Sequence, residues 1–299
     1  MVMESVRFWI LLIFEIPSLI CCLLLLYYLC FEKSFRTNLN HHVFLLILIN
    51  VLLIELIDVP NYLTFLRLNF VWPQLSINCY LWWFITYGNY SSIGILMGWA
   101  SIEKHIFIFH SQLLNTKKKR ILYHYLPLLM IMFYTSIFYI ICIFFASCEP
   151  VFDYNSSWCY TPCYTRIENL SRYDILMNTI LPIFIIISSD VFLFIRVIKQ
   201  RQSLHQEIQW YKYKRMIIQI SLCSFLFLAF QIPTMCYNFA QTFGLKYEIS
   251  DEIVTSLYCS AYFMVLLMPF LCLISSKDIW LKIKSKYIRN IIIPQITIR

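Results

Sequence analysis

Seven long apolar runs, separated by polar stretches, dominate the chain. They are Phe8–Phe31, Val43–Leu66, Leu75–Ile102, Ile121–Ala146, Ile175–Val197, Met216–Gln241 and Ile253–Ser276. Each is long enough to cross a bilayer, for which a helix needs about 20 residues. The third, fourth, sixth and seventh runs contain no Asp, Glu, Lys or Arg. Membrane β-strands would instead alternate in polarity over segments of about ten residues. The continuous runs therefore predict an all-α membrane protein, a seven-transmembrane-helix bundle. Pro17, Pro60, Pro127, Pro182, Pro233 and Pro269 fall inside the runs. They suit kinked helices, because neighbouring spans can take up the carbonyls that proline frees.

Composition agrees with the pattern. Of 299 residues 60% are hydrophobic and 13% charged, whereas a soluble domain carries about a quarter charged residues. So little charge cannot cover a water-facing surface of this size. The charges that remain are distributed unevenly. Lys33 and Arg36, Lys117–Arg120, six Lys and Arg around the fifth-to-sixth loop and six in the tail make eighteen on one side. Arg7, Arg67, Arg166, Arg172 and Lys246 make five on the other, against eight acidic residues. Basic loops stay on the cytoplasmic side, so the N-terminus is read as extracellular and residues 1–7 as a short lead-in. The net charge of +8 is a topology signal; no nucleic-acid partner is read from it. Phe8–Phe31 is taken as a retained span, since it carries Glu15 and Pro17 and no small-residue cleavage site follows.

Twelve cysteines divide the same way. Seven or eight lie inside spans, while Cys79 opens the third, and Cys148, Cys159 and Cys163 share the loop 147–174. That loop also holds the sequons at Asn155 and Asn169, as an extracellular or lumenal segment would. A bridge from Cys79 to Cys159 or to Cys163 would staple the loop over the bundle. The two cysteines left over could then pair with each other.

The ordered motifs resemble the rhodopsin-like family of G-protein-coupled receptors. Twenty-four residues after Cys79 comes Glu103-Lys104-His105, where that family has Asp/Glu-Arg-Tyr. Asn40 begins the second-span pattern, and Asn50 stands where the family has a sodium-binding aspartate. Pro182 matches the fifth-span proline. Phe227 and Phe230-Gln231-Ile232-Pro233 resemble the sixth-span switch, with Gln231 for tryptophan. Met268-Pro269-Phe270-Leu271-Cys272 resembles Asn-Pro-x-x-Tyr with both polar ends changed. Lys277–Ile283 looks like the amphipathic eighth helix, leaving 277–299 as a cytoplasmic helix and tail. The resemblance covers residues 8–290. It implies a plasma-membrane receptor that binds an extracellular small molecule or peptide and activates a heterotrimeric G protein. Asn50, Glu103, Lys104, Asp190, Phe227, Pro233 and Pro269 would form the switch.

Polar groups inside the spans are the candidates for recognition. On an ideal helix of 100° per residue, Asp58 lies about 80° from Asn50, Glu55 about 140° and Asn61 about 20°. Asn50, Asn61 and Asp58 are thus read as facing the bundle, and Glu55 as turned away. Asp58 is either a carboxyl hydrogen-bonded to a neighbouring helix or the counter-charge of a cationic ligand group. Thr86 occupies the position of the amine receptors' aspartate, and Tyr262 that of the opsins' lysine; a retinal Schiff base is excluded. Thr86, Tyr87, Tyr90, Gln231, Tyr237, Tyr258 and Tyr262 complete the pocket candidates. At the inner end Lys104 is read as pairing with Glu103 at rest and with Asp190 when active. Lys117–Arg120 would meet anionic lipid head groups, and the fifth-to-sixth loop around Trp210, Tyr211 and Tyr213 would meet the G protein.

No metalloprotease, serine-hydrolase or nucleotide-binding motif occurs, nor any metal-spaced Cys/His cluster. No enzyme, metal or cofactor is read from the chain. The alternatives are a receptor-like protein that does not couple, or a small transporter. Gly88, Gly94 and Gly98 are read as packing positions of a central third helix.

Overall fold

The computed structural model describes residues 2–36, 39–202, 207–244 and 250–275. It is 87% helical with no strand among the described residues, an all-α seven-helix bundle. The seven helices long and apolar enough to cross a membrane are Glu4–Phe31, His41–Leu68, Ser76–Phe109, Lys117–Phe144, Glu168–Arg196, Ser221–Thr242 and Glu252–Ile274. Their outward faces carry large apolar side chains such as Ile13, Phe133, Phe184 and Phe225. Such a surface is stable against lipid and not against water, so the chain is a multi-pass membrane protein.

Several helices outrun their apolar stretches. The first is helical from Val2, so the helix begins ahead of its apolar run. Arg7 there donates to the Ser256 hydroxyl on the seventh helix at 2.8 Å. The fifth begins at Glu168, which places the Asn169 sequon in a helical turn. The backbone is continuously helical over Glu207–Thr242, about 54 Å at 1.5 Å per residue. A hydrocarbon core is about 30 Å thick, so Trp210, Tyr211 and Tyr213 belong to a helical extension beyond the span and not to a loop. The proposed helix at Lys277–Ile283 and the tail lie outside the described residues.

Among the described residues four π-helical turns interrupt the spans, at Ile54–Asp58, Phe84–Asn89, Ile121–Tyr125 and Asp174–Ile180. Three of them precede Pro60, Pro127 and Pro182 by two residues. Proline has no N–H for the carbonyl one turn back, and a widened turn is one way to absorb that loss. The first of these turns changes the direction of its own side chains: Glu55 is 1% exposed, not turned away from the bundle as 100° per residue would have it.

The third helix is central. An added Cβ on Gly88 would meet Tyr139 of the fourth helix, one on Gly94 would meet Phe227 of the sixth, and one on Gly98 would meet Pro182 and Ile185 of the fifth. The glycines permit close helix approach.

The loop 147–174 is stapled twice, Cys79–Cys159 and Cys148–Cys163, which settles the pairing among these four cysteines. The end of the bundle that carries this loop is termed outer and the opposite end inner. Trp158, Cys159 and Tyr160 all have positive φ, a conformation uncommon for such side chains. Their backbone is held by the bridge to the third helix and by Trp83, whose indole N–H donates to the Trp158 carbonyl at 2.6 Å. Beside the Asn155 sequon, the Ser156 hydroxyl and the Asn155 amide hold the Asp153 carboxyl below its ordinary range.

Candidate functional site

Two polar clusters lie at opposite ends of the bundle. The outer one centres on Asp58, which is fully buried. Its Oδ1 accepts from the Trp82 indole at 2.6 Å and from the Tyr262 hydroxyl at 2.8 Å. The Tyr262 hydroxyl in turn accepts from the Trp158 indole at 3.1 Å. Trp158 stacks on Tyr62, and Tyr62 on Tyr262, at centroid distances of 5.1 and 5.0 Å. The second, third and seventh helices and the stapled loop thus meet at one carboxyl group. A buried carboxyl without a basic partner is stable only when such donors satisfy it.

A second outer hub is Asp174. It accepts from the Tyr139 hydroxyl at 2.6 Å, the Asn178 amide at 2.7 Å and the Tyr164 hydroxyl at 2.9 Å. Ser91 of the third helix joins Tyr139 at 2.6 Å. Tyr87 and Tyr90 sit on the third helix between the two hubs, enclosed by the bundle yet with some surface left accessible. Among the described basic residues of this end, Arg7 is bound to Ser256, Arg172 pairs with Glu168, Arg166 lies over the Tyr160 ring, and Arg67 is exposed. Tyr87 and Tyr90 thus lie among aromatic rings and hydroxyls, with Asp174 near the first and Asp58 near the second.

The inner cluster joins four helices. Lys104, fully buried, donates to Asp190 Oδ1 at 3.0 Å. Glu103 does not pair with Lys104; its carboxylate meets His124 Nδ1 on the fourth helix. Successive residues on a helix point about 100° apart, so these two neighbours serve different partners. His124 Nε2 lies 2.9 Å from His42 Nδ1. His105 lies 2.9 Å from the Ser189 carbonyl.

Of the residues picked out by sequence, Asp58, Thr86 and Tyr262 come together. Tyr258 bonds Asn238 at 2.6 Å and meets the ring of Tyr237. Phe227 is buried on Gly94. Asn50 is buried but donates to the Leu46 carbonyl of its own helix at 2.8 Å and faces Met132. Asn61 and Gln231 are half-exposed and join neither hub. Sequence reasoning missed Trp82, Trp158, Asp174 and His124. Trp82 lies one turn after Cys79 and Trp158 directly before Cys159, so the bridge itself marks both.

No protein-family model matches the chain, and no curated protein matches it; the two polar clusters are the features that bear on its activity.

Proposed function

We propose that the chain is a plasma-membrane receptor of the rhodopsin-like kind, with its N-terminus outside and a heterotrimeric G protein as its inner partner. One observation carries the reading: a single helix holds both clusters. Trp82 binds the Asp58 hub, and Lys104, 22 residues later, binds Asp190, about 33 Å along the axis at 1.5 Å per residue. A ligand that favours one arrangement of the outer hubs would shift an equilibrium that the inner pair also reads.

The residues around Tyr87 and Tyr90 support a neutral or cationic ligand, small molecule or peptide, over an anionic one. Asp58 and Asp174 lie near these tyrosines, and Arg7, Arg172 and Arg166 are engaged by Ser256, Glu168 and the Tyr160 ring. The sixth helix would move about Pro233 and open the inner face next to its own extension from Glu207.

The test is expression in cells carrying reporters for each G-protein class, with and without a library of cationic and neutral ligands. Basal or ligand-driven signal should fall in Lys104→Ala and Asp190→Ala, and Lys104→Asp with Asp190→Lys should signal better than either single change. Absence of any signal in the unaltered chain would favour a non-coupling protein, and substrate uptake into vesicles would favour a transporter.

A further inference from the structure

At the inner end three titratable side chains form a line. Glu103 meets His124 Nδ1, His124 Nε2 lies 2.9 Å from His42 Nδ1, and His42 Nε2 lies 2.9 Å from the Arg36 carbonyl oxygen. Glu103 and His124 are buried, His42 is half-buried and Arg36 is exposed. The line therefore runs from the interior of the bundle to its inner surface.

Hydrogen accounting gives the line a direction. A carbonyl oxygen only accepts, so His42 Nε2 carries a hydrogen. The contact between the imidazoles needs one more, and the contact between His124 and Glu103 a third. Three hydrogens satisfy all three contacts in three arrangements. In the first, Glu103 is a carboxylic acid and both histidines are neutral. In the second, Glu103 is ionised and His124 is an imidazolium. In the third, Glu103 is ionised, His124 is neutral with its hydrogen on Nδ1, and His42 is the imidazolium. Each step breaks one O–H or N–H bond and forms one N–H bond, and no hydrogen bond is lost. The proton moves between the buried carboxyl and the inner surface. Loss of one of the three hydrogens to solution leaves one contact without its hydrogen, which uptake of a proton restores.

A metal ion does not fit this geometry. His124 uses its two nitrogens on opposite sides of the ring, so no one point lies within the roughly 2 Å that metal–nitrogen bonds need. No group of three His, Cys, Asp or Glu among the described residues is placed to hold a metal.

The surroundings leave the line to itself. Lys104 is engaged by Asp190, and His105 by the Ser189 carbonyl. Arg120, one turn before His124, donates to the Leu114 carbonyl at 2.7 Å. Lys117, Lys118 and Lys119 are exposed. The rings of Phe107 and Tyr125 pack on His124, which is buried, while its hydrogen-bonded neighbour His42 is half-buried.

We propose that Glu103, His124 and His42 form a proton-binding site that is loaded from the inner face of the membrane through His42. This site stands independently of any G-protein partner, and its test uses no signalling readout. The protein in lipid nanodiscs is stepped in pH while infrared difference spectra are recorded. The expected result is a protonated-carboxyl C=O band that responds to pH and is lost in Glu103→Gln. In His42→Gln, which can hydrogen-bond but not relay, that response is lost over the time in which the unaltered protein completes it. The unaltered protein supplies its own check: the carboxyl band and the histidine ring bands change together in one titration. The proposal is overturned if Glu103→Gln removes no pH-responsive band, if His42→Gln responds as the unaltered protein does, or if carboxyl and ring bands titrate separately.

Discussion

Lys104 and Asp190 bridge the third and fifth helices across 3.0 Å, while Glu103, next to Lys104 in the chain, is committed to His124 on the fourth. The inner end of the third helix is therefore held on two sides by two separate ionisable pairs. A movement that breaks one pair need not disturb the other.

The Lys104–Asp190 pair is asymmetric in burial. Lys104 is fully enclosed and Asp190 keeps 24% of its side chain exposed. Breaking a buried pair costs about 3–5 kcal/mol, largely through the charge left behind. Asp190→Asn leaves the ammonium enclosed, so a loss of about 3 kcal/mol is expected, the lower end of that range. Lys104→Met keeps an aliphatic stem, and its abandoned carboxylate can turn to water, so its cost should be smaller. Thermal unfolding of the two variants in the same detergent checks the order; equal losses would contradict it.

Gly94 and Phe227 make the tightest of the three glycine contacts on the third helix. A Cβ at position 94 would come within 3.2 Å of the Phe227 ring, against 3.7 Å from Tyr139 at Gly88 and 3.6 Å from the Pro182 carbonyl oxygen at Gly98. Overpacking of this sort costs about 1–3 kcal/mol. Gly94→Ala should therefore destabilise, whereas Gly88→Ala and Gly98→Ala should be close to neutral. Combining Gly94→Ala with Phe227→Leu should recover part of the loss. The melting temperatures of these four variants against that of the unaltered protein decide it, and a Gly98→Ala as damaging as Gly94→Ala would refute the account.

The helices were legible in the sequence, because seven continuous apolar runs have no other stable home. Their ends were not, because polar residues such as Lys117, Glu168 and Glu207 continue the helices beyond the apolar stretch. Within the site, Asp190 was legible because it lies eight residues after Pro182, and Tyr262 because it lies seven before Pro269. Glu55 was misread because the π-turn at Ile54–Asp58 breaks the 100° rule on which its angle rested. His124 was missed for a different reason: it sits in a run free of Asp, Glu, Lys and Arg, and no local pattern announces a partner 21 residues away on another helix. Asp174 was counted as a loop charge, although the fifth helix begins before it and three donors enclose it.

The Tyr262 hydroxyl is both donor to Asp58 and acceptor from Trp158. Tyr262→Phe therefore removes two bonds at once, and leaves the loop held near the bundle by the Cys79–Cys159 bridge and the Trp83 bond to the Trp158 carbonyl. Each bond is worth about 1 kcal/mol net, so a loss of about 2 kcal/mol is expected. Trp158→Phe alone should cost less in hydrogen bonding, because the bond from Tyr262 to Asp58 survives. A double-mutant cycle should show coupling of about 0.5–1 kcal/mol between the two positions, as for residues in direct contact. Additive losses would mean that the indole–hydroxyl bond contributes nothing.

Ser18 poses a hydrogen-counting problem that Glu55 resolves. The Ser18 oxygen contacts the Glu55 carboxyl and lies 2.8 Å from the Leu266 carbonyl oxygen of the seventh helix. A serine has one hydrogen and a carbonyl has none to give. With the Ser18 hydrogen on Leu266, the contact to Glu55 takes its hydrogen from the carboxyl, which is then a neutral acid. Glu55→Gln offers an amide N–H in the same place and should cost less stability than Ser18→Ala. Ser18→Ala removes the side-chain donor to the Leu266 carbonyl and should cost about 1 kcal/mol or more. The comparison needs only the two unfolding curves. If Glu55→Gln proved the more damaging, Glu55 would be acting as a charged acceptor and the first, second and seventh helices would be joined by a carboxylate.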